Sequence, residues 1–330
     1  MKRKCVIPFC IMLLLIFSEN RAQTVFSDPL AHTFSIVARD AETGEMGVAV
    51  QSHWFSVGSI VSWAEAGVGA IATQSFVNAS FGPRGLEMLK EGKTAQEVLE
   101  ALIDADEGRD VRQLAIIDAH GNVAAHTGKR CIAEAGHIVG NNFSVQANMM
   151  LKNTVWSAMA KAFHETEGSL AERLIAALEA AQSEGGDIRG KQSAALIIVK
   201  GKSTGKLWED RVIDLRVEDH PEAVKEIKRL LRVYRAYEYM NAGDLAMEKN
   251  DVEGALKAYG SAEAMFPDNL EMKYWHAISL ANIGRVDDAL PMFTEIFKKD
   301  NNWRLLTERL PSVGLLSVDK KDLERIVSLE

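Results

Sequence analysis

Cysteine is nearly absent: the 330 residues hold three, Cys5, Cys10 and Cys131. The first two lie in an apolar leader, so the exported chain keeps only Cys131 and closes no internal disulfide; its stability has to come from packing. Cys131 itself reads as a small buried apolar residue rather than a nucleophile. None of the eight histidines stands four residues from another, so the helical histidine pair of a metal site is missing, and neither a metal nor a cofactor is expected. The Gly-x-Ser-x-Gly elbow and the phosphate loop are missing too, and Gly67-Val68-Gly69 lacks a third glycine and a following helix start, leaving only a tight turn. Basic residues are outnumbered, 38 Lys and Arg against 46 Asp and Glu. That surface repels phosphate backbones, which excludes nucleic acid as the expected partner.

What is present begins with an export signal. Lys2, Arg3 and Lys4 precede an apolar run over 6–17, followed by Ser18, Glu19 and Asn20. The run is too short for a membrane span. Cleavage is expected near Ala22 or Gln23, giving a periplasmic or secreted protein without a membrane span. Loss of residues 1–22 removes four bases, Lys2, Arg3, Lys4 and Arg21, and one acid, Glu19, and moves the net charge from −8 to −11. At 47% hydrophobic and 25% charged residues the composition is globular, with room for two cores.

Residues 23–32 read as a linker. Short apolar runs separated by turns follow at 33–40, 46–52, 56–64 and 68–75, which predicts a hairpin and two more strands before any helix. Helices are expected from Pro83 to Gly92 and over 94–105, then strands at 114–117 and 123–126. Two more helices are expected over 155–164 and from a capping box of Ser169 with Glu172 to Gly185, and strands over 194–199 and 212–217. Strands and helices in runs, rather than strict alternation, predict an α+β domain over 33–218 with helices outside layered antiparallel sheets. After Asp219-His220-Pro221 the chain turns helical. Ala255 and Tyr259 recur 34 residues on as Ala289 and Phe293, with Gly243 and Pro267 flanking the first copy. That period predicts a small all-α, tetratricopeptide-like domain over 219–330, a surface for a protein partner or for self-association into a homo-oligomer.

Candidate site residues cluster at strand ends: Thr33, Ser35, Gln51, Ser52, Gln74, Ser75, Asn78, Gln146 and Asn148, with Asp187, Arg189 and Gln192 in a glycine-rich turn. Such groups converge on a cleft or else satisfy turn backbones. Asp187 and Arg189 offer a carboxylate and a fork to one ligand, or pair with each other. His137 is a candidate acid or base, or packs.

Four blocks, Thr33-Phe34-Ser35-Ile36-Val37-Ala38-Arg39-Asp40, Gly47-Val48-Ala49-Val50-Gln51-Ser52, Gly67-Val68-Gly69-Ala70 and Phe81-Gly82-Pro83-Arg84-Gly85-Leu86, and a fifth from Gly185-Gly186-Asp187 to Ser193-Ala194-Ala195 carry a resemblance. Together they resemble a bacterial and archaeal family of unknown function grouped with the N-terminal nucleophile (Ntn) hydrolases. The resemblance implies an αββα four-layer sandwich and places Thr33 where those enzymes carry a chain-terminal nucleophile whose α-amine acts as base. It departs from proteasome-type subunits in carrying Gln51 where they have an Asp and in offering no counterpart to their cleft lysine. Thr33 gains an α-amine only by a cut between His32 and Thr33. The expected activity is hydrolysis of a C–N bond in a small amide or peptide-like compound, with Gln51, Ser52, Ser75, Asn148, Asp187, Arg189 and Gln192 around the substrate. The alternative is a non-catalytic envelope protein that binds a ligand in the same cleft.

Overall fold

The computed structural model describes residues 29–329; the expected export signal and its cleavage site lie outside the described residues. The chain runs β1 (Leu30–Ala31), β2 (Thr33–Arg39), β3 (Met46–Ser52), β4 (Ser62–Glu65), β5 (Gly69–Phe76), α1 (Phe81–Lys90), α2 (Ala95–Asp104), β6 (Arg112–Asp118), β7 (Val123–Thr127), β8 (Gly136–Gly140) and β9 (Phe143–Ala147). It continues through α3 (Val155–Glu165), α4 (Leu170–Ser183), β10 (Ser193–Val199), the single turn α5 (Leu207–Asp210) and β11 (Arg211–Val217). Helices α6 (Ala223–Glu248), α7 (Val252–Met265), α8 (Leu270–Asn282), α9 (Val286–Lys299), α10 (Asn302–Arg309) and α11 (Lys320–Val327) complete it.

The strands form two antiparallel sheets. One has the order β11-β10-β3-β2-β9-β8; in the other β1, β5, β6 and β7 follow in turn, and β4 also pairs with β5. Alternation along each strand decides which core a residue joins. Val37, Val48, Val50, Ala195 and Ile197 meet Ala70, Ala72, Ala115 and Ile117 between the sheets. Their neighbours Phe34, Ile36, Ala49, Leu196 and Ile198 face the opposite way onto α3, α4 and the first turns of α6. On the far side of the other sheet, Ile71, Leu114 and Ile116 pack on Leu86, Leu89, Val98 and Leu102 of α1 and α2. Burying each such side chain stabilises the fold by about 1.5–3 kcal/mol. The result is a mixed α+β body with antiparallel sheets and helices on both outer faces, continued by a helical region.

Helix α2 starts where Thr94 accepts from the Glu97 amide and Glu97 answers the Thr94 backbone N–H, a complete capping box. The expected box at Ser169 does not form. Its hydroxyl and the Glu172 carboxylate bond each other, and Arg235 of α6 binds both; a charged partner outcompetes a neutral amide for that carboxylate. Nor is 56–64 one strand. Ser56 takes a left-handed φ of 55° and opens a 3-10 turn, Val57–Ser59, so that both Val57 and Val61 reach the core between the sheets. At Gly82 an added Cβ would lie 2.2 Å from the Trp63 ring, so only glycine lets that indole lie on α1.

Helix α6 carries both cores. Ala223, Val224, Ile227 and Leu231 close over the sheet, and Ala236 and Met240, further along the same helix, pack on Ala255 and Tyr259 of α7. A Cβ on Gly243 would lie 2.5 Å from the Tyr259 ring, which explains that glycine. Ala289 and Phe293 are fully buried in the next helical pair, among Tyr274, Ile296 and Phe297. No helix among the described residues is long and apolar enough to cross a membrane.

Candidate functional site

Thr33 stands where the chain leaves one sheet and enters the other. Leu30 and Ala31 pair with Phe76 and Ser75 of β5, and Thr33 opens β2 opposite Ser52 of β3. His32 therefore crosses the gap between the sheets, and Ala31, His32 and Thr33 are all buried. Several hydrogen bonds tie the crossing, while the His32 Nε2 is buried without a hydrogen-bond partner among the described residues. The Thr33 hydroxyl donates to the Ala31 carbonyl at 2.6 Å, and the Val77 amide donates to the Pro29 carbonyl at 2.9 Å.

The carbonyl of the His32–Thr33 peptide bond accepts two side-chain donors, Ser52 Oγ at 2.5 Å and Arg189 Nη2 at 2.9 Å. Asp187 holds that guanidinium in a two-point grip, Nε to Oδ1 at 3.0 Å and Nη2 to Oδ2 at 2.7 Å. The carboxylate is itself fixed by the backbone amides of Arg189 and His53. Thus Asp187 and Arg189 do pair with each other, and the remaining edge of the fork reaches the peptide carbonyl.

Around this bond lies a buried network of amides and hydroxyls. The Thr33 carbonyl accepts from the Asn148 amide and from Gln74 Nε2. Ser35 Oγ donates to Gln74 Oε1 at 2.5 Å, and Gln146 Nε2 donates to Ser35 Oγ at 2.6 Å. Gln113 Oε1 accepts from Gln74 and Asn148 at 2.6 and 2.9 Å, while Gln113 Nε2 donates to the Ala147 carbonyl and to Thr127. Asn148 Oδ1 can only accept, so the 2.7 Å contact with His32 puts the imidazole proton on Nδ1. Burial drives the His32 pKa below its usual value, and the Arg189 charge adds to the effect, against the Asn148 bond. His137 ends the network at Thr127, and burial lowers its pKa as well.

Of the residues expected at the site, Thr33, Ser52, Asn148, Asp187 and Arg189 converge; three do not. Gln51 is buried, but strand alternation turns it to the face of Ala49 and the helices, opposite to Ser52, and its amide bonds nothing among the described residues. Gln192 reaches Asp219 instead. Ser75 takes a left-handed φ of 74°, and its hydroxyl makes none of the network's bonds. It sits at Cys131, whose thiol burial pushes to a higher pKa, which leaves it protonated and poorly nucleophilic. Two residues central to the network escaped the sequence reading. Gln113 is the second residue of β6, after Arg112 and on the face of Ala115 and Ile117, and an amide directly before the apolar run 114–117 was the available signal. His32 carries no signal beyond its place before Thr33.

No group of three or more His, Cys, Asp or Glu able to hold a metal occurs among the described residues. A cavity of about 890 Å³ lies elsewhere, near β4, α1 and β11, and is lined by Trp63, Glu65, Lys90 and Trp208. The Thr33 site is instead filled by the chain's own residues.

A search of the curated proteins finds no match. Among solved structures, the chain resembles a crystal structure of a DUF1028-model protein from Silicibacter pomeroyi, with 30% identity and a TM-score of 0.56, over 61% of this chain and 85% of that one. The model of the family of unknown function DUF1028 matches residues 33–227, from Thr33 itself to the first turns of α6. The matched stretch takes in both sheets from β2 onward and the site network apart from His32, and on that match the chain belongs to the family of unknown function DUF1028.

Proposed function

We propose that this chain is an exported hydrolase of the N-terminal nucleophile kind, an αββα sandwich with a tetratricopeptide-like tail, that acts on the C–N bond of an amide or peptide-like compound. Thr33 is its nucleophile, and residues 29–32 cap it. The observation that carries this reading is the pair of donors on the His32 carbonyl, Ser52 Oγ and Arg189 Nη2. Two fixed donors on a carbonyl oxygen, one of them charged, stabilise the oxyanion that forms when that carbonyl is attacked.

The hydroxyl of Thr33 adds to the His32 carbonyl carbon and the C–N bond breaks. The hydroxyl proton passes to the Thr33 nitrogen, and an amide becomes an ester and a free amine. Water then hydrolyses the ester, which releases the His32 carboxylate and leaves a terminal Thr33. That α-amine, with an ordinary pKa near 8, accepts the hydroxyl proton in later turnovers. The same two donors serve the substrate carbonyl. The helices–sheet–sheet–helices packing and the 34-residue recurrence of Ala and an aromatic support the two architectural parts of the reading.

The test is mass spectrometry of the exported protein before and after a β-lactone probe. The expected product begins at Thr33 and carries the label there; T33A is neither cut nor labelled, and S52A slows the cut by about 10²–10³-fold. Mature protein that keeps His32 and takes no label overturns the reading. It then favours the second one, a ligand-binding envelope protein whose helical tail docks a partner. That reading is supported by the Thr33 hydroxyl, already committed to the Ala31 carbonyl.

A further inference from the structure

We infer that the substrate of this site is an extended peptide with histidine, or a similarly planar hydrogen-bonding side chain, on the acyl side of the cleaved bond, bound as a strand on β5. The inference rests on the proposed Thr33 chemistry. In that chemistry one nucleophile and one pair of carbonyl donors serve both the chain's own bond and the substrate's bond. The acyl residue of a substrate must therefore sit where His32 sits, and the residues before it where Pro29, Leu30 and Ala31 run.

That track has a defined shape. Leu30 and Ala31 lie antiparallel to Phe76 and Ser75, and the Val77 amide donates to the Pro29 carbonyl. On the same edge of β5, β4 pairs with Gly69–Ala72 and stops short of Ser75. When residues 29–32 leave, β5 gives up its pairing with Leu30 and Ala31 and the Val77 amide gives up the Pro29 carbonyl, and a strand edge vacated in this way is a template for an incoming strand.

The side-chain position at the cut is equally specific. The His32 imidazole donates from Nδ1 to Asn148 Oδ1 at 2.7 Å, and its ring stands edge-on to Phe76, with centroids 5.7 Å apart at 87°. Asn148 is not free to turn away, because Gln113 accepts from its amide nitrogen. An acyl residue without a donor at that point leaves the buried Asn148 oxygen unpaired, and a site built on a hydrogen bond discriminates against such ligands.

The experiment uses the mature wild-type protein and four acetylated peptide aldehydes that compete with the β-lactone for Thr33: Pro-Leu-Ala-His, Pro-Leu-Ala-Ala, Pro-Leu-Ala-Leu and His alone. An aldehyde captures the hydroxyl by simple addition to a hemiacetal. The histidine tetrapeptide is expected to protect Thr33 at concentrations about tenfold or more below those of the alanine and leucine peptides, the worth of one hydrogen bond of about 1.4 kcal/mol. The lone histidine should fall behind the tetrapeptide by a similar factor, since it cannot add a strand. Labelled Thr33 with equal protection by all four aldehydes, or by none, overturns this inference and leaves the hydrolase reading standing. Unlabelled protein with His32 retained removes both.

Discussion

Between its two sheets the chain buries Ser35, Gln74, Gln113, Gln146 and Asn148 completely. The core of the helical region, around Tyr274 and Phe293, is carbon surface with one hydroxyl pair, Tyr274 with Thr307 at 2.9 Å. Both are buried interiors, yet they are held differently. The helical core is stabilised by apolar area and shape, and neighbouring side chains there are interchangeable as long as volume is kept. The amide network adds little net stability per bond, because each group gave up water to enter, but an unmade bond costs the full desolvation. It therefore specifies geometry. A protein that only needed a stable sandwich would fill that gap with valine and alanine, as it does a few residues away at Val48, Val50, Ala70 and Ala72. Keeping five polar side chains beside one peptide bond marks the place where positions of atoms matter.

The contrast breaks most sharply at Phe293. Phe293→Ala is expected to destabilise the helical region by about 3–5 kcal/mol, through lost burial and the cavity left behind. Urea denaturation followed by circular dichroism reads this as a helical transition at lower denaturant, while the proposed cut at Thr33 is expected to keep the wild-type rate. A change in cutting would mean that the two regions act as one.

Gln113→Leu tests the other side. It keeps volume but leaves the Gln74 and Asn148 amide nitrogens without the oxygen they share. The expected cost is about 1–3 kcal/mol, again by urea denaturation, together with slower cutting between His32 and Thr33. A more stable variant that cuts normally would show the network to be neither satisfied nor needed.

Acid sharpens the comparison by a smaller step. Burial lowers the pKa of His32 and His137, so the folded layered part disfavours their protonation. The unfolded chain takes up protons near the ordinary value of 6.5, before the folded one does. Stability is then fully present above pH 6.5 and falls as pH drops below it towards the depressed folded values. Thermal melts of the uncut protein, kept uncut by T33A, at pH 7.5 and pH 5.5 should show this loss for the layered part, and adding H32Q should lessen it. An unchanged wild-type slope in H32Q would remove His32 as its source.

Much of this was written locally. The hairpin of β2 and β3 follows from alternation and turn residues, which act over a few positions, and Gly243, Ala255 and Tyr259 stood out through the pattern of a 34-residue recurrence. The site residues at strand ends were legible as polar breaks in apolar runs, and Thr33, Ser52, Asn148, Asp187 and Arg189 do meet. Gln51 shows the limit. It stands beside Ser52 in sequence and across the sheet from it in space, because a strand sends neighbours to opposite faces, and which face is the inner one depends on what packs there. Gln113 shows it again, as its partners lie 39 and 35 positions away.

Composition and periodicity by themselves determined the classes of element and their order, while Thr33 became the candidate nucleophile only through the resemblance carried by the five sequence blocks. Only the tertiary structure decided that His32 spans the gap between two sheets and that Arg189, 157 positions on, reaches its carbonyl. Side-chain periodicity is a property of one strand or helix, whereas the pairing of sheets and the direction of a guanidinium are set by contacts between segments far apart in the chain.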